Sequence, residues 1–121
     1  MKTKYISAAL LLGFLCVSGS ASATPPSGIH TKYYPERGEL EVIVQHPVTK
    51  RNQHYINEIV LTKNGTVIEK RTFDFQTSHR NQTTPPFKIQ AVPGDDVQVL
   101  ATCNISGSGE AKVKINPPEA E

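Results

Sequence analysis

The chain has 121 residues, with 13 basic and 11 acidic side chains, two cysteines and 37% hydrophobic residues. That length suits one domain around one modest core. The near balance of charge offers no basic stripe for nucleic acid and no attraction to acidic membranes, so neither partner is expected.

In chain order, Met1 to Ala23 opens on Lys2 and Lys4, runs through apolar residues from Ile6 to Val17 and closes on Ala21-Ser22-Ala23. This is the pattern of a secretory signal peptide with a small-x-small cleavage site. It predicts export, with Thr24 as the first mature residue. The apolar run is too short to span a bilayer, and no later segment is apolar enough to do so. Cys16 is a poor lipidation site because the bulky Leu15 precedes it. Removal of Lys2 and Lys4 leaves 11 basic against 11 acidic residues. The short lysine-led signal is bacterial in style, so a secreted or periplasmic protein is expected, with residues 24–121 as one domain whose core spans 29–116.

The mature chain alternates with period two and carries a turn signal every ten residues or so. Leu40, Val42 and Val44 alternate with Glu41 and Gln45, and the stretch from Tyr55 to Lys63 is rich in Ile, Val and Leu. Lys63-Asn64-Gly65-Thr66 is a hairpin turn leading into a strand from Val67 to Phe75. Ser78 to Thr84 reads as a polar loop. Phe87 to Ala91 follows Pro85-Pro86, and Pro93-Gly94-Asp95 makes another turn. Val97, Val99, Ala101 and Cys103 then share one parity. After a turn at Ser106 to Gly109, a last strand alternates Ala111, Val113 and Ile115 with Lys112 and Lys114. About seven short strands without a convincing helix predict an all-β, immunoglobulin-like sandwich, with a small barrel as the competing architecture. Thr24 to Ser27 and Pro117 to Glu121 read as disordered tails.

After cleavage only Cys103 remains, so no internal disulfide is available. A lone thiol is either a small buried hydrophobe, a metal ligand or half of an intermolecular bond. His46 ends one strand, His54 begins the next, and Cys103 ends a third. All three can therefore gather at one rim of a sandwich, where loops carry function on a rigid frame. Imidazole and thiolate together suit iron, zinc or copper. No nucleophile elbow, phosphate-cradling glycine loop or zinc-protease helix is present.

These residues bear a family resemblance. His46-Pro47, His54-Tyr55-Ile56 followed by Glu58-Ile59 and Leu61, Gly94-Asp95, and Cys103-Asn104-Ile105 with Gly107 together resemble the iron-binding domain of superoxide reductases, also called desulfoferrodoxins or neelaredoxins. The resemblance implies an immunoglobulin-like sandwich with a mononuclear non-haem iron held by four histidines and an axial cysteine. It also implies one-electron reduction of superoxide to hydrogen peroxide, with an unidentified electron donor as partner. On that basis His46, His54 and Cys103 are the expected metal ligands. The family's Cys-Asn-Ile-His-Gly-Leu-Trp run departs here, with Ser106 in place of its histidine and Ser108-Gly109 in place of Leu-Trp. Its Glu-Lys-His loop is matched only by Gly28-Ile29-His30 with Lys32 afterwards, which makes His30 the candidate for a further ligand. His79 is a candidate replacement for the missing imidazole. A set of three imidazoles and one thiolate would suit iron completed by water, or tetrahedral zinc. The alternative is a non-catalytic sandwich, either resembling the sulfur-oxidation carrier subunit that pairs with a protein partner or serving as a recognition module without metal.

Overall fold

A computed structural model describes residues 24–117. The expected signal peptide, and the C-terminal tail beyond Pro117, lie outside the described residues. Among the described residues eight strands form: β1 (Gly28–Tyr34), β2 (Glu39–Gln45), β3 (Ile56–Lys63), β4 (Thr66–Thr72), β5 (Asn81–Thr83), β6 (Phe87–Lys88), β7 (Val97–Cys103) and β8 (Ser108–Val113). One sheet runs β1-β2-β5 with β6 also on β2, and the other runs β4-β3-β7-β8. Every pairing is antiparallel. The all-β sandwich expected from the alternation is the architecture observed. Among the described residues no helix is long and apolar enough to cross a membrane.

The core follows the alternation. Leu40, Val42 and Val44 from β2 meet Ile59 and Leu61 from β3 and Val97, Val99 and Ala101 from β7, with Phe87 and Val113 closing the sides. All of these side chains are almost wholly withdrawn from water, each contributing roughly 1.5–3 kcal/mol of transfer free energy if its size is that of valine or larger. Strand β3 breaks strict parity, because its buried residues are Ile56, Ile59 and Leu61. A β-bulge between Ile56 and Glu58 accounts for this, setting Ile56 opposite Cys103 and Glu58 opposite Thr102. Bulges re-aim side chains near sheet ends, and this one turns the start of β3 toward Cys103.

Two expectations are corrected. Thr24 to Ser27 is not a loose tail: Ser27 N–H donates to the Gln45 carbonyl at 2.8 Å, and Pro25 and Pro26 lie over Gly107 and Gly109. The polar loop from Ser78 to Thr84 contains β5, a short strand paired with the end of β2. Strand β1 escaped the sequence reading because none of its residues is fully buried, so it has no apolar row to alternate. Arg71 of β4 reaches the other sheet's β5–β6 connection: its guanidinium donates to Thr84 Oγ1 and to the carbonyls of Pro85 and Pro86, and lies 3.9 Å from the Phe87 ring centroid.

Candidate metal centre

At one end of the sandwich, donor atoms of His46, His54 and Cys103 all lie within 4.8 Å of one another. Parity explains two of them. His46 continues the inward row of Val42 and Val44, while Cys103 continues that of Val97, Val99 and Ala101. His46 is fully withdrawn from solvent and Cys103 is 3% exposed. Both sit where the core row reaches the rim.

His54 arrives by a folded connection. After Pro47 the chain turns back on itself, with Gln53 and His54 N–H both donating to the Lys50 carbonyl at 3.1 and 2.9 Å. Asn104 then clips the returning segment to the cysteine. Its Oδ1 accepts from Tyr55 N–H at 2.8 Å, its Nδ2 donates to the Gln53 carbonyl at 3.1 Å, and its own N–H donates to the Tyr55 carbonyl at 2.9 Å. The side chain immediately after the cysteine therefore places the second histidine. Ile105 N–H reaches Cys103 Sγ at 3.5 Å, a weak contact that withdraws charge from sulfur.

Gln76, fully buried, sets the chemistry of His46. Its Nε2 donates to the carbonyls of His46 and Ser78 at 2.7 and 3.0 Å. That fixes the amide orientation, because its Oε1 accepts from Ile56 N–H at 3.3 Å. The same Oε1 lies 2.7 Å from His46 Nδ1, so Nδ1 must carry the proton. In the neutral ring the lone pair then belongs to Nε2. That nitrogen faces the Thr24 carbonyl oxygen at 2.9 Å, a second acceptor. The neutral ring would set two lone pairs against each other at that distance, a repulsion relieved either by a second ring proton, which makes an imidazolium donating to both oxygens, or by a cation bound beside them. His54 Nε2 is buried and has no hydrogen-bond partner among the described residues. The two rings meet edge to face, centroids 4.8 Å apart. Burial first, and the neighbouring His46 second, hold the His54 imidazole below its ordinary pKa, while the Thr24 carbonyl acts in the opposite sense. A depressed pKa favours the neutral, ligating form.

The donor set fits a borderline transition metal: one thiol sulfur, one orphaned imidazole nitrogen and one lone pair aimed at oxygen. His30 does not join it. In the β1–β2 register His30 stands opposite Ile43, whose parity is opposite to the inward row of Val42, Val44 and His46, and cross-strand partners share a face. Its exposed ring instead lies 4.0 Å from Glu41 Oε1. His79 is also outside the group, its Nδ1 3.2 Å from the Val48 carbonyl. Lys32 lies along β1 with its ammonium 5.3 Å from the Tyr34 ring centroid. Sequence reasoning missed Gln76 and Thr24 altogether. Nothing in Gln76-Thr77-Ser78 distinguishes a buried glutamine from a solvated one, and a carbonyl donor carries no signature.

No family model and no curated protein matches the sequence. Among solved structures, the chain is similar to a superoxide reductase (neelaredoxin) from Ignicoccus hospitalis, with 15% identity over 77% of this chain and 81% of that one and a TM-score of 0.48. A superoxide reductase solved in the oxidised state is 17% identical over 78% of this chain and 94% of that one, with a TM-score of 0.41. Fold and site together define an all-β sandwich carrying a His/His/Cys group able to hold a metal ion at one rim.

Proposed function

We propose that this is an exported metalloprotein whose His46, His54 and Cys103 hold one redox-active transition metal, with iron as the native ion. The observation that carries this reading is the convergence of those donor atoms, from three separate strand ends, within 4.8 Å. Iron accepts both imidazole and thiolate, and cysteine in a single-metal site favours it or zinc over hard cations.

The finer reading is superoxide reduction, as the resemblance of the sequence implies. Bound iron would supply a one-electron redox centre, its potential lowered by the thiolate. In the balanced reaction, superoxide takes one electron and two protons to become hydrogen peroxide, and an external one-electron donor restores the reduced state. The chain's own residues prepare the centre. Gln76 fixes the His46 tautomer, Asn104 fixes the Gln53–Tyr55 segment, and Ile105 N–H tempers the sulfur. Ser106 and the outward-facing His30 leave fewer imidazoles than the family pattern has, so slow turnover is expected.

The test is anaerobic loading with ferrous iron followed by rapid mixing with superoxide and a reductant. Peroxide formed without release of oxygen supports the reductase reading. An iron-loaded protein that leaves superoxide decay at its spontaneous rate rejects it. A second reading has one specific observation in its favour: His46 has an oxygen near each ring nitrogen, the arrangement of a structural imidazolium in a recognition module. Absence of stoichiometric metal at neutral pH would select that reading.

A further inference from the structure

Resting on the metal-site reading, we propose that Thr24 completes the centre as the first residue of the mature chain, chelating the metal through its main-chain carbonyl oxygen and the α-amine that cleavage after Ala23 exposes. Three observations converge on Thr24.

The first is the oxygen itself. The Thr24 carbonyl lies 2.9 Å from His46 Nε2, and because Gln76 holds the proton on Nδ1, that nitrogen presents a lone pair to it whenever the ring is neutral. Two donors bound side by side at right angles to a metal about 2.0–2.1 Å away stand about 3 Å apart. The spacing, which a hydrogen bond also has, is one that neighbouring ligands share, and a common cation removes the repulsion between the neutral ring and the carbonyl. His54, whose Nε2 has no hydrogen-bond partner among the described residues, offers a ring nitrogen to the same group of donors.

The second is the seating of the strap that carries Thr24. Pro25 crosses Gly107 so closely that a Cβ there would stand 2.9 Å from Pro25 Cβ, and Gly107 also has φ +92°, a region side chains rarely adopt. Pro26 rests over Gly109, where a Cβ would be 3.4 Å from the proline ring. Ser27 then docks on Gln45 through two bonds, N–H at 2.8 Å and Oγ at 3.2 Å to the same carbonyl. Since Gly107 also receives Cys103 N–H on its carbonyl at 2.9 Å, the surface holding the strap is the loop that shapes the cysteine. Two successive prolines limit the backbone freedom of the approach, so little entropy is lost in presenting Thr24.

The third is the position of the expected cleavage site. Ala21-Ser22-Ala23 ends immediately before Thr24. The residue whose carbonyl meets the site is the one that would carry the new amine, and an α-amine with its own carbonyl closes a five-membered chelate ring on a metal ion. Processing would then finish the site, supplying donors in place of the imidazole that Ser106 does not provide.

The experiment compares three chains loaded with Co(II): one beginning at Thr24, one with Gly-Ser placed ahead of Thr24, and one beginning at Pro26. The last keeps the Gly109 contact and the Ser27–Gln45 bonds, and metal-free melting curves establish that each is folded. A thiolate-to-cobalt charge-transfer band in the Thr24 chain, lost in Cys103→Ala, reports the site itself; its absence would sink the metal-site reading. With that band present in all three, Co(II) affinity should fall about tenfold in the extended chain and about a hundredfold in the Pro26 chain. The ligand-field bands should intensify as the coordination number drops. Equal affinity and identical spectra in all three would overturn the role of Thr24, and equality of the first two alone would overturn the amine's part.

Discussion

The two ends of the β3–β7 pair make an instructive contrast. At the far end, Lys63 stands opposite Val97, and the following Asn64 and Gly65 both have positive φ, 52° and 84°, as a tight hairpin of this type requires. Asn64 ties this end together: its N–H bonds the Asp96 carbonyl at 2.7 Å, Asp96 N–H bonds its Oδ1 at 2.8 Å, and its Nδ2 bonds Asp95 Oδ1 at 3.1 Å. Bonds from Val92 N–H and then Asn64 hold the Asp95 carboxyl below its ordinary pKa. At the near end, Ile56 stands opposite Cys103, and the imidazoles are held in place with one ring nitrogen left unsatisfied. Gln76 and Asn104 spend their hydrogen bonds on orientation, leaving His54 Nε2 without a partner among the described residues and His46 Nε2 facing the Thr24 oxygen. Buried polar atoms without partners cost about 1–3 kcal/mol each. A fold that ties one rim with a hydrogen-bonded turn and leaves nitrogen and sulfur donors converging at the other has a rim suited to a cation.

That contrast can be broken in graded steps. The largest expected effect is from Cys103→Ala, which removes the sulfur while retaining a small apolar side chain: metal affinity should fall more than about a hundredfold by chelator competition, with a nearly unchanged melting temperature. Gln76→Leu comes next, because it strands His46 Nδ1, the His46 carbonyl and Ile56 N–H together. We expect a loss of about 3 kcal/mol in urea unfolding and a metal affinity reduced about 10- to 100-fold. Asn104→Ala should cost about 1–2 kcal/mol, the value of two lost backbone contacts, and should weaken metal binding less than Gln76→Leu because His54 keeps its Lys50 turn. The smallest effect belongs to the opposite rim. Gly65→Ala meets no neighbour within 4 Å, so its cost is the positive φ alone, about 1 kcal/mol, with metal affinity unchanged. A metal effect from Gly65→Ala as large as that from Asn104→Ala would dissolve the distinction between the ends.

The period-two pattern made the sandwich and much of the site legible. Once Val42 and Val44 are read as inward, His46 must be inward too, and the same holds for Cys103 behind Ala101. The Asn64-Gly65 turn was unmistakable because few dipeptides tolerate two positive φ values. His30 was misassigned for a reason parity also explains: a motif neighbour on β1 faces away from the inward row, and sequence spacing alone says nothing about cross-strand register. Gln76 and Thr24 lay beyond reach because one acts through a buried amide in a polar run and the other through its main chain. The bulge at the start of β3, which sets Ile56 opposite Cys103, leaves no mark beyond the shift from Ile56 to Ile59.

The central claim is that one sulfur and two imidazoles at the near rim hold a metal ion. Its most direct test is metal analysis with visible spectroscopy on iron-loaded, oxidised protein beside Cys103→Ala. The account predicts one iron per chain with a ferric-thiolate charge-transfer band, and loss of the band and of most of the iron in the variant. Equal iron content in the two proteins, or stoichiometric iron without the band, would contradict it.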